Sequence, residues 1–125
     1  MFQKIMWLSL AGACGTVSRF ALCEAASKFK TCPIPLGTFA VNIIGSFLFG
    51  LLYTAAEAKL NFNTETRVIL LAGFMGAFTT FSTFAFDIAK MLHAEQWGLA
   101  LANAAGQLAL GVVALVVGVL VGRAI

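Results

Sequence analysis

Val68-Ile-Leu-Leu-Ala-Gly-Phe-Met-Gly-Ala-Phe-Thr-Thr-Phe-Ser-Thr-Phe-Ala-Phe86 runs for 19 residues without a charged side chain or a histidine. About 18 such residues suffice for a helix to cross the hydrocarbon of a bilayer. From Gly73 onward this run is nonetheless poor helix material. Gly73 and Gly76 add backbone freedom, and Thr79, Thr80, Ser82 and Thr83 carry hydroxyls that compete for backbone hydrogen bonds. The stretch therefore reads as a membrane helix that breaks between Gly76 and Thr80. At membrane depth an interrupted backbone is tolerated only where protein, a cavity or an ion satisfies it, which makes the break a candidate site.

Outward from this stretch the pattern repeats. Thr31 to Ala56 is uncharged for 26 residues and Gln96 to Gly122 for 27, both long enough to span. At the N-terminal end Ile5 to Ser18 is apolar, Arg19 interrupts, and Phe20 to Cys23 continues to Glu24; we read this as a fourth span whose arginine reaches polar surroundings through its long stem. A cleaved leader is the competing reading, but only six apolar residues precede the Leu10-Ala-Gly-Ala-Cys14 box, short of the roughly 7 to 15 such a leader needs. The expected architecture is all-α, one transmembrane domain of four helices over about 4–27, 35–57, 66–91 and 96–123. The connections, Ser27 to Pro35, Lys59 to Glu65 and Leu92 to Gln96, make successive helices antiparallel and leave no room for an extramembrane domain.

Composition agrees. Of 125 residues 61% are hydrophobic and 10% charged, against roughly 25% charged in soluble domains. A soluble fold of this length has too little polar surface here to cover itself. The net charge of +3 comes from scattered single lysines and arginines, which speaks against nucleic acid. Cys14, Cys23 and Cys32 form no Cys-x-x-Cys pair with the single His93, so they read as packed thiols. No Ser-His-Asp set, carboxylate pair or metal-ligand group lies in the spans, so no enzyme is expected.

Four helices put Lys4, Lys59, Arg67 and Arg123 on one side, and Lys28, Lys30 and Lys90, with Arg19 if it faces there, on the other. Such an even balance does not specify an orientation. It fits a dual-topology protein as well as a chain with too few charges to display its bias. If both orientations are made, the simplest product is an antiparallel homodimer.

Three polar clusters lie within the spans. In Gly12-Ala-Cys-Gly15-Thr-Val-Ser-Arg19, small residues permit close helix approach one turn from an arginine. In Pro35-Leu-Gly37-Thr38-Phe-Ala-Val-Asn42-Ile-Ile-Gly45-Ser46, Thr38, Asn42, Gly45 and Phe49 share a face, so the Asn42 amide serves either as glue between helices or as part of a pore. The third cluster is the opening stretch. There a regular helix would align Gly73, Gly76, Thr80, Thr83 and Asp87, with Phe81 and Phe84 adjacent at i and i+3. Ring edges would favour an anion and ring faces a cation; the same rings also suit a core or a lipid-facing surface. The acids Glu24, Glu57 and Asp87 sit toward span ends, so a pump lacks its central carboxylate.

At these clusters the sequence resembles the small bacterial fluoride channels, the CrcB/Fluc family, over essentially its whole length. Gly76-Ala-Phe-Thr79-Thr80-Phe81-Ser82-Thr83-Phe84 is similar to the third-helix signature, Pro35-x-Gly-Thr-x-x-x-Asn42 to the second-helix one, and Gly12-x-x-Gly15-x-x-x-Arg19 accompanies them. The resemblance implies a multi-pass protein of the bacterial inner membrane, an antiparallel dual-topology homodimer with two pores, and fluoride resistance through passive efflux. It implies that Asn42 is the pore asparagine, that Phe81 and Phe84 turn their edges to fluoride, and that Ser82 and Thr83 supply the hydroxyls of a polar track. It further implies a central sodium ion held by the backbone carbonyls of Gly76 and Thr79, and a vestibule role for Arg19, with Asp87 at the position where relatives carry an acidic residue. Two departures stand out. The relatives' fourth-helix hydroxyl has no counterpart, since Gln96 to Gly122 offers only Asn103 and Gln107, and the usual paired glycine is Gly76-Ala77.

Two other classes share the outline. A four-helix proton-coupled multidrug exporter would depend on Glu24 or Asp87, and a structural subunit of a larger membrane complex would pass no ions alone.

Overall fold

The computed structural model describes residues 1–29, 32–58 and 62–125; Lys30, Thr31 and Lys59, which enter the charge balance and the span limits above, lie outside them. Helix α1 covers Phe2–Ser27 and α2 covers Leu36–Ala58, starting where the Pro35 carbonyl accepts the Phe39 N–H at 3.1 Å. The third span, Thr64–His93, is composite. It opens as α3, Thr64–Val68, with Asn63 Oδ1 accepting the Thr66 N–H at 2.8 Å and Glu65 in the first turn, where the helix dipole favours an acid. It continues as a π-helical segment, Ile69–Met75, then as α4, Gly76–Phe78. Two extended residues, Thr79 (φ −82°, ψ 157°) and Thr80 (φ −148°, ψ 115°), precede α5, Phe81–His93. Helix α6 covers Trp97–Ala124. Four helices are thus long and apolar enough to cross a membrane, and no strand occurs among the described residues.

The turn after α5 is a Schellman motif, with Gln96 N–H on Met91 O at 2.9 Å and Glu95 N–H on Leu92 O at 3.0 Å. Its left-handed position is Glu95, φ 58°, where glycine is the usual occupant. Removing that backbone cost, Glu95→Gly is expected to stabilise the fold by about 1 kcal/mol, read as a rise in the thermal unfolding midpoint of the purified protein; an unchanged or lower midpoint counts against it.

Packing is organised by glycines. Helices α2 and α6 run side by side in the same direction. A Cβ on Gly50 would collide with the Leu115 carbonyl, one on Gly118 with that of Phe47, and one on Gly122 would lie 2.9 Å from Leu51 O. Such close approach is how helices associate in lipid, where apolar burial alone does not drive them together. On the other flank α1 crosses the π-helical segment, and Gly15 packs directly on Phe74 O. Val41, Met75 and Phe78 form the small buried core, with Leu22, Leu48 and Phe74 around it. Most remaining apolar side chains face outward, Leu101 and Leu108 at 71% exposure, as a lipid-facing exterior requires. At one end Arg67 pairs with Glu57 at 2.8 Å and lies over the Tyr53 ring.

Candidate functional site

The site forms where α2 meets the Thr79–Thr80 junction. Because helical geometry stops at Phe78, the Thr80 peptide turns its N–H and C=O sideways. Asn42, on the facing side of α2, satisfies both: Oδ1 accepts the Thr80 N–H at 3.0 Å, and Nδ2 donates to Thr80 O at 3.1 Å. The side-chain amide pairs with the backbone as a neighbouring strand would. Gly45, one turn along α2, makes the approach possible, since a Cβ there would overlap Thr79 Cγ2 and come within 3.2 Å of the Phe78 ring.

Asn42 Nδ2 makes a second bond, 2.9 Å to Gln107 Oε1 on α6, and Gln107 Nε2 donates to Asn103 Oδ1 at 3.1 Å. Gln107 and Asn103 are 6% and 0% exposed, so both amides are out of reach of solvent or headgroups and depend on each other. Thr80, 8% exposed, anchors the other half of the network. Its hydroxyl caps α5 by accepting the Thr83 N–H at 3.3 Å, and lies 3.1 Å from Thr83 Oγ1 and 3.3 Å from Ser82 Oγ.

These bonds redirect the helical ladder. In a continuous helix the Thr80 N–H would bond to Gly76 O and the Thr83 N–H to Thr79 O. Here the first goes to Asn42 and the second to the Thr80 hydroxyl, so the Gly76 and Thr79 carbonyls are released from those partners. Beside the junction a cavity of about 350 Å³ is lined by Asn42, Gly45, Ser46, Phe49, Thr80 and Phe81, among others. Phe81 is 79% exposed, and its ring lies 5.7 Å from that of Phe84 at a tilt of 50°.

The candidate residues are therefore drawn together unevenly. Asn42, Thr79 and Phe81 line one cavity, Ser82 and Thr83 join through Thr80, and Phe84 sits against Phe81. Gly76, exposed, lies a turn before the junction. Gly73 does not extend the polar face, because it is buried against Ala11 of α1. Arg19 stands apart, half-buried on α1 and outside the cavity lining. Asp87 lines a second cavity of about 330 Å³ with Pro35, Lys90 and Gln96, and its Oδ2 is buried without a partner among the described residues. What the sequence does not reveal is the link from Asn42 through Gln107 to Asn103; the one visible signal is that those two amides are the polar residues of an otherwise apolar span.

Comparison with known proteins places this sequence in a family. The family model described as "CrcB-like protein, Camphor Resistance (CrcB)" matches residues 6–119. Among curated relatives, the "Fluoride-specific ion channel FluC" of Nitrosococcus oceani is 45% identical over 125 residues, all of both chains. That of Solidesulfovibrio magneticus is 43% identical over all of both chains, and that of Nitratidesulfovibrio vulgaris 42% identical over 97% of this chain and 98% of its own. With four membrane-capable helices and similarity running end to end, this multi-pass membrane protein belongs to the CrcB-like family.

Proposed function

We propose that the chain is a fluoride-selective channel, passing fluoride down its electrochemical gradient across the inner membrane of a bacterial cell and so lowering cytoplasmic fluoride. The observation that carries this reading is the polar junction at Thr79–Thr80, buried at membrane depth, tied to Asn42 and open to a cavity edged by Phe81. Relatives similar over their full length carry the name of fluoride-specific channels. With no central carboxylate to couple protons, flow follows the gradient, and a negative interior drives an anion outward.

Fluoride is small and strongly hydrated, so a narrow path must replace its water with donors that still let it go. The Ser82 and Thr83 hydroxyls and the electropositive edges of Phe81 and Phe84 supply that path, and Asn42 lines it, its own N–H groups holding Thr80 O and Gln107 Oε1 in place. Arg19, at a vestibule, draws anions to its mouth by charge.

The working unit is an antiparallel homodimer with two pores. Exposed Ser82 and Thr83 hydroxyls beside an exposed Phe81 on a membrane helix need a second protein surface, since lipid cannot satisfy them. The even split of lysine and arginine between the two sides supports both orientations. A structural sodium ion at the dimer centre suits the donors present: the Gly76 and Thr79 carbonyls lack their helical partners, and hard cations take oxygen ligands. When bound, sodium would supply fixed positive charge and cross-link the third spans.

The test is efflux from liposomes loaded with potassium fluoride. After valinomycin is added, external fluoride is followed with a selective electrode beside a chloride control. Fast fluoride release with silent chloride is expected, and Phe81→Ile is expected to slow it by about tenfold through loss of the ring edge. Folded protein in sodium buffer that releases no more fluoride than empty liposomes would overturn the reading.

A further inference from the structure

Where α1 and the third span begin, at the same end of the molecule, a cavity of about 340 Å³ is lined by Gln3, Trp7, Asn63, Glu65, Thr66 and Ile69. It shares no lining residue with the cavity beside Thr79 and Thr80. Gln3 stands in the first turn of α1 and Glu65 in the first turn of the third span, so the cavity lies at the level where the chain enters the membrane. Tryptophan concentrates at that level, with its ring in the headgroup region. Trp7 is 47% exposed, and apolar Ile5, Met6 and Leu10 beside it on α1 are exposed as well. The polar chemistry is of two kinds. Glu65 supplies a carboxylate; the ion pair at this end joins Glu57 to Arg67, and Glu65 has none among the described residues. Gln3, Asn63 and Thr66 supply neutral donors. Asn63 Oδ1 is taken by the Thr66 N–H at 2.8 Å, so its amide nitrogen remains to donate.

We infer that this cavity binds the headgroup of a zwitterionic phospholipid carrying a primary ammonium, of the phosphatidylethanolamine type. The inference goes beyond the channel reading and does not depend on which ion the protein passes. The ammonium is met by the Glu65 carboxylate through charge-assisted hydrogen bonds and by the electron-rich face of the Trp7 indole. The phosphate of the same headgroup is met by the Asn63 and Gln3 amides and the Thr66 hydroxyl, all donors without a charge of their own. An anionic headgroup fits less well, because its one ionic group is set against Glu65. A lysine or arginine in the lining would favour it, but Arg67 is paired with Glu57 and Lys4 does not line the cavity. A free amine in water gains little from a single exposed carboxylate, since solvent and salt screen the pair. Acyl chains hold a lipid headgroup at this level and so raise its effective concentration at the site. Bound there, the lipid bridges the first turns of α1 and the third span, ahead of the π-helical segment.

The full chain, purified in detergent, is titrated with phosphatidylethanolamine, phosphatidylcholine or phosphatidylglycerol of matched acyl chains in mixed micelles. The thermal unfolding midpoint is followed beside the lipid retained in native mass spectrometry, each variant against its own lipid-free midpoint. Phosphatidylethanolamine is expected to raise the midpoint and to half-saturate at a concentration about tenfold below that of phosphatidylglycerol, the worth of one hydrogen bond to a charged group. Phosphatidylcholine, whose ammonium has no N–H, should fall between them. Glu65→Gln is expected to abolish the preference, Glu65→Asp to keep much of it and Trp7→Leu to narrow it. Referring each midpoint to the lipid-free protein removes whatever Glu65→Gln does to α3 itself. If Trp7→Leu does not fold, the two Glu65 variants decide. Equal binding of the ethanolamine and glycerol lipids, or a preference that survives Glu65→Gln, overturns the inference. So does an equal midpoint rise with soluble phosphoethanolamine, which would make the ligand a free amine and not a lipid. None of these readouts involves fluoride, so the channel reading stands or falls separately.

Discussion

Asn42→Leu is expected to cut fluoride efflux from reconstituted liposomes by about 100-fold or more, because it removes three hydrogen bonds from one buried junction. The Thr80 N–H and C=O lose their partner together, and Thr80 is 8% exposed, so little outside the protein replaces it. Gln107 Oε1 is stranded at the same time. Single side-chain hydrogen bonds between membrane helices are worth only about 0.6 kcal/mol on average, so the fold should survive while the conduction path does not. The expected result is a protein that still elutes as one species, with a lowered unfolding midpoint and flux near background. Asn42→Asp sharpens the test. It keeps the shape and the bond from the Thr80 N–H, but sets acceptor oxygens against Thr80 O and Gln107 Oε1 and adds a negative charge beside the cavity. Its efflux should fall at least as far. Near-normal fluoride flux in Asn42→Asp would show that neither the donors nor the charge at this position matter to the ion.

That prediction depends on features of unequal legibility in the sequence. The four spans are legible because crossing a bilayer demands only length without charge, and Val68 to Phe86 and Gln96 to Gly122 supply it. Membership of the family is legible as well, because its signatures fall on residues with unusual local chemistry, such as Thr79-Thr80-Phe81-Ser82-Thr83, rather than on interchangeable apolar positions. The π-helical segment is not legible: Ile69-Leu-Leu-Ala-Gly-Phe-Met75 has the same composition whether its bonds run to i−4 or i−5. Nor is the amide chain. Asn103 and Gln107 are visible as a pair one turn apart, but the reach from Gln107 to Asn42 depends on α2 and α6 running side by side, and its direction depends on the Thr80 backbone. The contact between those helices is partly encoded, since Gly118-x-x-x-Gly122 is a recognised spacing for close helix approach. Which helix it meets is a property of the fold.

Gly118→Leu carries the second large expected effect, loss of the folded protein rather than of its flux alone. A Cβ at this position already runs into the Phe47 carbonyl and comes within 3.0 Å of the Leu51 nitrogen, both backbone atoms of α2 that no rotamer change can move aside. The larger side chain must push α6 away from α2. Because lipid is as apolar as the side chains, separation costs packing without any compensating gain in burial. Overpacking of a fixed contact costs about 1–3 kcal/mol and sometimes more, and here it also pulls Gln107 from Asn42. Gly118→Leu is therefore expected to elute as aggregate after detergent extraction, with no cooperative thermal transition, and Gly118→Ala to fold with a clearly lowered midpoint. Gly98 on the same helix is the control, since a Cβ there meets nothing within 4 Å. Gly98→Ala should leave the midpoint unchanged or raise it slightly through better helix propensity. A Gly118→Leu protein that unfolds at the wild-type temperature would mean that α2 and α6 do not touch through this glycine, and the amide chain they carry would lose its support.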